Sequence, residues 1–265
     1  MRIKGFLLVD FKRIFQSIRF WGSVLGIWIA LLVGGNVEKN FSQQPTSLEA
    51  LDQGIYGITG LIILMISSFP YAGSFCEDIE NRYLFAECIR GDYKTFTRSR
   101  VIAIFCSSMA AMACGILGYA VYIKIRYGLW WSQENTAYQI LCKMGIWYVG
   151  MLRKTPILYF GAMGCLYGML AGILALIAAL FSLYYMNKLL IMSVPFLFMY
   201  LMLNLSMISD LWDGKLNIWY IYQPFYGCIE TDVKAYLYAV IFTAVTAYIL
   251  YRLILMRVNR RIHYA

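Results

Sequence analysis

The sequence predicts an all-α membrane protein with six transmembrane helices, and three observations support this fold class. Hydrophobic residues make up 61% of the 265 residues, and the mean hydropathy is +0.64. Six long apolar runs contain no Lys, Arg, Asp or Glu. The runs are continuous, without the alternation of apolar and polar side chains that a membrane β-strand requires. We therefore expect a single transmembrane domain that extends over residues 1–265.

The six runs approach or reach the length of a transmembrane helix. A helix needs about 20 apolar residues to cross the hydrocarbon core of a bilayer, whereas a buried helix of a soluble protein is shorter. The sequence therefore predicts a multi-pass protein in the lipid bilayer. The predicted spans are residues 20–37, 55–75, 101–123, 157–186, 189–208 and 235–251.

The distribution of basic residues predicts the orientation. Lys and Arg near the ends of spans are retained on the cytoplasmic side of a membrane. If the N and C termini are both cytoplasmic, the cytoplasmic segments hold the whole formal charge of +9, and the outer segments are neutral. We expect this positive charge to contact anionic lipid, and we expect no nucleic acid partner.

Segments outside the spans are predicted to lie along the membrane surface. The residues before the first span mix apolar side chains with Lys12, Arg13 and Arg19, a pattern typical of an interfacial helix. A plain cytoplasmic extension of the first span fits equally well. Residues 124–156 and 209–234 are rich in Trp and Tyr and are expected at the outer interface.

The chain lacks the residues that several function classes require. No span holds an ionisable side chain that could cycle a proton, which argues against a proton-coupled transporter. The sequence has no Walker A motif and no protease constellation. We expect no catalytic residue, no metal site and no cofactor bound by this chain. A disulfide between Cys142 and Cys228, which both fall outside the predicted spans, remains open.

Small residues and prolines are expected to organise the spans. Gly164, Gly168 and Gly172 are spaced by four and share one face of the fourth span, which allows close helix packing. This face can pack within one chain or form a seam between two copies. Pro70, in the second span, and Pro195, in the fifth, can each kink a helix.

Residues 76–100 concentrate charge between the second and third predicted spans. Acidic residues come first and cations follow, which predicts a cytoplasmic elbow with a turn at Gly91. Apolar anchors and flanking charges of this kind suit a groove on another protein, although an ordinary positive-inside loop is the alternative. The residues predicted to face the partner are Glu77, Asp78, Glu80, Arg82, Tyr83, Leu84 and Phe85.

This elbow, with six spans and cytoplasmic termini, resembles the permease subunits of type-2 ABC exporters, the ABC-2 family. The acidic start of the family's elbow is matched at Glu77 and at residues 80–82, and its apolar patch at Leu84 and Phe85. Residues 98–100 match the basic run that enters the third span. Where many members have Gly or Thr after the acidic residue, this chain departs from the pattern.

The resemblance implies that the elbow is a coupling helix seated on a separate cytosolic ATPase, which binds the ATP and Mg²⁺. It implies a second permease subunit, either another copy or a paralogue, and a bacterial plasma membrane. An apolar, aromatic path favours export of amphipathic peptides, antimicrobial peptides among them, or of lipid-like molecules. The alternatives are a non-transporting scaffold or sensor whose elbow docks a regulator, and a channel or ATP-independent scramblase.

Overall fold

The computed structural model describes residues 3–35, 46–81, 83, 92–144, 149–208, 218–222 and 232–263. This part of the chain forms twelve α-helices and no β-strand. The helices are α1 (Ile3–Gln16), α2 (Ile18–Gly35), α3 (Ser47–Ile55), α4 (Ile58–Ser68), α5 (Ser74–Glu80), α6 (Tyr93–Tyr127), α7 (Thr136–Met144), α8 (Val149–Lys154), α9 (Pro156–Ser182), α10 (Lys188–Ile208), α11 (Ile218–Tyr222) and α12 (Asp232–His263). Five of them, α2, α6, α9, α10 and α12, are long and apolar enough to cross a membrane. The protein is therefore an all-helical, membrane-embedded protein.

Helix α9 is the centre of the bundle. Its most apolar stretch is 83% buried, whereas the corresponding stretches of α10 and α12 are 22% buried. The Gly and Ala residues of α9 let neighbouring helices approach closely, which suits a central position. Helix α9 packs along α6 over most of its length and also contacts α4, α10 and α12. The apolar outer faces of α10 and α12 are exposed, as lipid contact requires.

The second predicted span, residues 55–75, is wrong as one continuous helix. Helices α3 and α4 are separated at Tyr56 and Gly57 and bend by 85°. Gly57 has a φ of 73°, in the region that favours glycine. Helix α4 has 11 residues and is therefore about 16 Å long, which is too short to cross a hydrocarbon core. The α3–α4 pair is a broken span or a re-entrant segment.

The two prolines occupy different positions relative to helices. Pro70 lies in a turn, residues 69–73, between α4 and α5, so the kink predicted there within a span is wrong. Proline cannot continue the ladder of backbone hydrogen bonds, and here it follows the end of α4. Pro195 lies inside α10, as expected.

The predicted elbow is divided between two helices. Helix α5 forms its first part, and α6 begins at Tyr93, before the predicted third span at residue 101. Asp92 caps α6, and its carboxylate accepts a hydrogen bond from the backbone N–H of Lys94 at 3.3 Å. The second part of the elbow is therefore the first turns of the long helix α6 and not a separate piece. The predicted turn at Gly91 lies outside the described residues.

Contacts at the helix termini define two ends of the bundle. At the Arg100 end, α1, α5 and the start of α6 meet near the beginning of α10. At the Asn135 end, the start of α3 meets the end of α6 and the chain before α7. There the Asn135 amide donates to Thr46 Oγ1 at 2.6 Å, and Ser47 Oγ donates to the Ala120 carbonyl at 2.9 Å.

The two segments predicted at the outer interface are described in part. Residues 124–156 contain the end of α6, the whole of α7 and α8, and the start of α9. Of residues 209–234, the structure describes α11 and the beginning of α12. Cys142 is a free, exposed thiol, and Cys228 lies outside the described residues.

Candidate functional site

The guanidinium of Arg100 is the centre of a buried polar network at the Arg100 end. Arg100 lies on α6 and is 1% exposed. Its Nη1 donates to Asp10 Oδ1 on α1 at 2.6 Å, and its Nη2 donates to Asp78 on α5. The rings of Tyr71 and Phe96 lie 5.1 Å and 5.3 Å from the guanidinium carbon. One cation thus joins α1, the turn after α4, α5 and α6.

The carboxylate of Asp10 is well supplied with hydrogen bonds although it is buried. It accepts from Arg100, from the Tyr71 hydroxyl at 2.7 Å and from the Ser99 hydroxyl at 3.0 Å. Burial of an ion costs several kcal/mol unless hydrogen bonds and an opposite charge compensate it. The network meets that condition only while α1, α6 and the turn at residues 69–73 remain together.

The sequence of α1 explains how Asp10 comes to face Arg100. Phe6, Asp10 and Ile14 are spaced by four, so they share one face of the helix. Ile14 is fully buried, and the Phe6 ring packs edge-on against Phe96 of α6, with 6.1 Å between the ring centroids. The apolar face of α1 therefore docks on α6 and carries a single carboxylate to the guanidinium.

A cleft of about 400 Å³ adjoins this network. Its walls come from α1, the start of α2, the turn at residues 69–73, α5 and the start of α10. The charged residues that line it are Arg13, Arg19, Arg100, Lys188, Glu77 and Asp78. Phe69, Pro70 and Met192 add an apolar wall. The arrangement suits the binding of a charged or amphipathic group at the end of the bundle.

Two ion pairs cross the rim of the cleft. Arg19 donates to Glu77, and Lys188 Nζ lies 2.8 Å from Glu80 Oε2. The hydrogen bond from Lys188 lowers the pKa of Glu80 below its usual range, since it stabilises the carboxylate form. These pairs connect α5 to the beginning of α2 and of α10. Both pairs are partly exposed, so each contributes little to the stability of the fold.

The residues predicted to face a partner occupy different environments. Glu77 and Glu80 lie at the rim in the ion pairs described above. Asp78 is 8% exposed and pairs with Arg100 in the lining of the cleft. Tyr83 is 59% exposed. The predictions for Arg82, Leu84 and Phe85 fall outside the residues that the structure describes.

The glycine face of α9 lies against α6 of the same chain. A Cβ atom added at Gly168 would lie 2.8 Å from the Met109 carbonyl oxygen. At Gly164 it would lie 3.0 Å from the Cα of Ala113, and at Gly172 it would meet an aromatic ring. Of the two alternatives for this face, the structure places it in packing within one chain.

Sequence reasoning missed the network as a unit. Asp10 and Arg100 are 90 positions apart, and the elbow prediction treated Arg100 as one of several surface cations. A signal was present, because Asp10 is the one acidic residue on the apolar face of the first helix. A carboxylate on such a face needs a buried cationic partner, and Arg100, at the border of an apolar run, is suited to that role.

Within the described part of the chain, no group of three or more His, Cys, Asp or Glu side chains is arranged to hold a metal ion. No protein-family model, no curated protein and no solved structure matches this chain. A function must therefore be inferred from the chain's own residues.

Proposed function

We propose that this chain is the permease subunit of an ATP-driven type-2 ABC exporter in a bacterial plasma membrane. It would form the translocation path and take its energy from a separate cytosolic ATPase that binds ATP and Mg²⁺. The observation that supports this proposal best is the Arg100 network. It joins α1 to α5 and α6, the helices that precede and follow residues 82–91 in the chain. We call residues 82–91 the docking segment because they are expected to contact the ATPase.

The network would allow such a subunit to couple movement of the ATPase to movement of its helix bundle. Loss of one partner from a buried ion pair costs about 3–5 kcal/mol, so α1, α5 and the start of α6 are expected to move as one body. Helix α6 is 35 residues long and packs along the central helix α9. A displacement of the docking segment would therefore reach the centre of the bundle as a rigid-body shift.

In this proposal the Arg100 end faces the cytoplasm and the α3–α4 pair is the second of six spans. Two permease subunits, identical or paralogous, would enclose the path. The exposed apolar faces of α10 and α12 offer surface for lipid or for the second subunit. The path would carry amphipathic peptides or lipid-like molecules, since the spans are apolar and the outer segments aromatic.

Affinity purification from native membranes tests the proposal through Tyr83. Truncation of an anchoring aromatic residue at an interface commonly costs at least about 2 kcal/mol. We therefore expect an ATPase to accompany the wild-type chain and to be largely lost from Tyr83→Ala. The matched control is Tyr56→Ala, because Tyr56 is 71% exposed and lies in the break between α3 and α4. This control should retain the ATPase.

An exchange of charge between Glu80 and Lys188 distinguishes contact of Glu80 with the ATPase from a role of Glu80 within this chain. Glu80→Lys places two cations side by side at the α5–α10 contact, whereas Glu80→Lys with Lys188→Glu restores opposite charges there. If Glu80 contacts the ATPase, both variants lose it. If Glu80 acts only through Lys188, the double variant recovers it. A folded wild-type chain that brings no ATPase would overturn the exporter proposal and favour a scaffold or sensor.

A further inference from the structure

Two buried polar atoms at the cleft have no hydrogen-bond partner among the described residues. They are the hydroxyl oxygen of Ser74, on α5, and the Nε of Arg100. Both residues line the cleft, Ser74 is 6% exposed, and Arg100 is 1% exposed. A buried donor without an acceptor costs about 1–3 kcal/mol. A ligand that brings acceptor oxygens into the cleft would remove this cost.

Arg13 favours an anion in the cleft. Four cations and two carboxylates line the cleft. Asp10 and Glu80 pair with Arg100 and Lys188, so that three of the four cations have acidic partners within the chain. Arg13 is different, because no carboxylate in the described part of the chain pairs with it. It lies close enough to Arg100 for their like charges to repel. A phosphate group placed beside Arg13 would accept charge-assisted hydrogen bonds and reduce this repulsion.

The apolar surroundings of the cleft favour a lipid over a free phosphate ion. Phe69, Pro70 and Met192 line the cleft together with its charged residues. Ile18 and Trp21, on the neighbouring start of α2, are largely exposed. Amphipathic helices such as α1 lie at the depth of lipid headgroups. A ligand with a phosphate and an acyl chain would therefore match both parts of the site.

We propose that the cleft at the Arg100 end binds the headgroup of an anionic phospholipid, with Arg13 and Ser74 contacting the phosphate and Met192 contacting the acyl chain. Such a lipid would bridge α1, α5 and α10 beside the docking segment. It would thereby hold together the elements that the Arg100 network and the rim ion pairs connect. The proposal does not depend on export, because it concerns only the cleft and the bilayer.

Native mass spectrometry of the full chain in a neutral detergent tests this binding. The delipidated protein is titrated with phosphatidylglycerol, phosphatidylcholine or glycerol 3-phosphate. We expect one tightly bound phosphatidylglycerol and a higher temperature of thermal unfolding when it is bound. Equal binding of phosphatidylcholine would contradict the preference for an anion. Equal thermal protection by glycerol 3-phosphate would show that the acyl chain is not recognised, and would overturn the lipid proposal.

Neighbouring cations of α1 provide a matched pair of variants. Both side chains are exposed, but Arg13 lines the cleft and Lys12 does not. Because a charge-assisted hydrogen bond contributes more than a neutral one, we expect Arg13→Gln to weaken binding of phosphatidylglycerol about tenfold or more. Lys12→Gln should leave the affinity nearly unchanged. Equal losses in the two variants would indicate general attraction to a basic surface and would overturn the assignment to the cleft.

Ser74→Ala supplies a second variant that changes no charge. If the hydroxyl donates to the phosphate, its removal should weaken phosphatidylglycerol binding severalfold while the protein unfolds at an unchanged or higher temperature without lipid. The higher temperature is expected because the substitution removes a buried donor that has no partner. Unchanged affinity in Ser74→Ala and in Arg13→Gln together would exclude the cleft as the lipid site.

Discussion

Arg100 and its two carboxylate partners fix the position of three helices relative to one another. Replacement of a buried ion pair by well-packed apolar residues is often neutral or stabilising, so net stability is a weak explanation for such a pair. Asp10 and Asp78 come from separate helices, so a shift of α1 separates Asp10 from Arg100, and a shift of α5 separates Asp78 from it. We infer that the network selects one arrangement of α1 and α5 on α6.

Removal of the cation alone should therefore be strongly destabilising. In Arg100→Leu, two buried carboxylates lose their partner, and we expect the free energy of unfolding to fall by about 3–5 kcal/mol. Arg98→Leu is the control, since Arg98 lies on the same turn of α6 and is exposed. Reversible denaturation in detergent micelles measures both variants.

The same network can be tested by removing all of its charges. Because Arg100→Leu leaves the buried charges of Asp10 and Asp78 without this cation, the triple variant with both aspartates changed to Leu should recover most of the lost stability. If Arg100→Leu and Arg98→Leu unfold alike, the guanidinium is not paired in the folded protein. That result would also remove the observation on which the coupling proposal depends.

At the level of residues, the sequence shows which side chains are charged more readily than it shows which side chains they contact. The charges of Glu77 and Glu80 mark α5 as a polar segment. Glu77 lines the cleft, and Glu80 pairs with Lys188, which lines it too. That Asp78 between them is buried follows from helix geometry and from the approach of α6, which no local pattern specifies. Long-range pairing of Arg100 is decided by packing, so spacing along the chain could not predict it.

The sequence predicts no helix for most of the residues that form α3. The apolar residues of this helix are few and are mixed with Glu49 and Asp52, so it does not resemble a span. Tertiary contacts nevertheless bury its apolar face against α2 and α6. Hydropathy alone therefore predicted α2, α9 and α10 well. It failed at the bend, because the apolar run continues past Gly57 and predicts one span, although α4 begins only at Ile58.

The bend between α3 and α4 should depend on the glycine at its corner. Gly57 has a φ of 73° and a ψ of −146°, a conformation that costs a residue with a side chain about 1–3 kcal/mol. We expect Gly57→Ala to lower the free energy of unfolding by that amount. Gly73 is a matched control because it also precedes a helix, has open space at its Cβ position and has a negative φ.

The two glycine variants differ in backbone conformation and in little else. Gly73→Ala should be neutral or slightly stabilising, since alanine restricts the unfolded chain without strain in the folded one. Chemical denaturation of both proteins side by side measures the difference. Equal stabilities would mean that the bend tolerates a side chain, and that the 85° corner is set by packing alone.

The contact between α6 and α9 should be sensitive to a single methyl group. Gly168→Ala places a Cβ against backbone atoms of α6 that cannot rotate away, so we expect a loss of about 1–3 kcal/mol in the free energy of unfolding. Gly118→Ala on α6 is the control, because nothing lies within 4 Å of that position. It should gain up to about 1 kcal/mol from helix propensity.

Oligomeric state distinguishes the two uses of this glycine face. If the face packs within one chain, Gly168→Ala lowers the stability of the protein and leaves its mass in detergent unchanged. A seam between two copies predicts the reverse, a smaller assembly with unchanged unfolding. Light scattering of the purified variants, with Gly118→Ala beside them, separates these outcomes.

For the whole molecule, the separation of its two ends is the feature with the clearest consequence for function. The Arg100 end gathers α1, α5 and the start of α10, and the Asn135 end gathers the start of α3 and the chain before α7. The sequence predicts two unlike ends through its basic residues, since the segments that it assigns to the cytoplasm carry the whole net charge of +9. The central position of α9 is favoured by its Gly and Ala residues, which let neighbouring helices approach it closely.

A docked ATPase requires that the Arg100 end face the cytoplasm. Single cysteines at Tyr83 and at Gln133, in a chain whose native cysteines are replaced, place one exposed probe at each end of the bundle. A maleimide that cannot cross membranes should label Gln133→Cys in intact cells and should label Tyr83→Cys only after the membrane is opened. This is the result that retention of cationic segments on the cytoplasmic side predicts. Labelling of Tyr83→Cys from outside would place the docking segment away from ATP, and no cytosolic ATPase could then drive this protein through it.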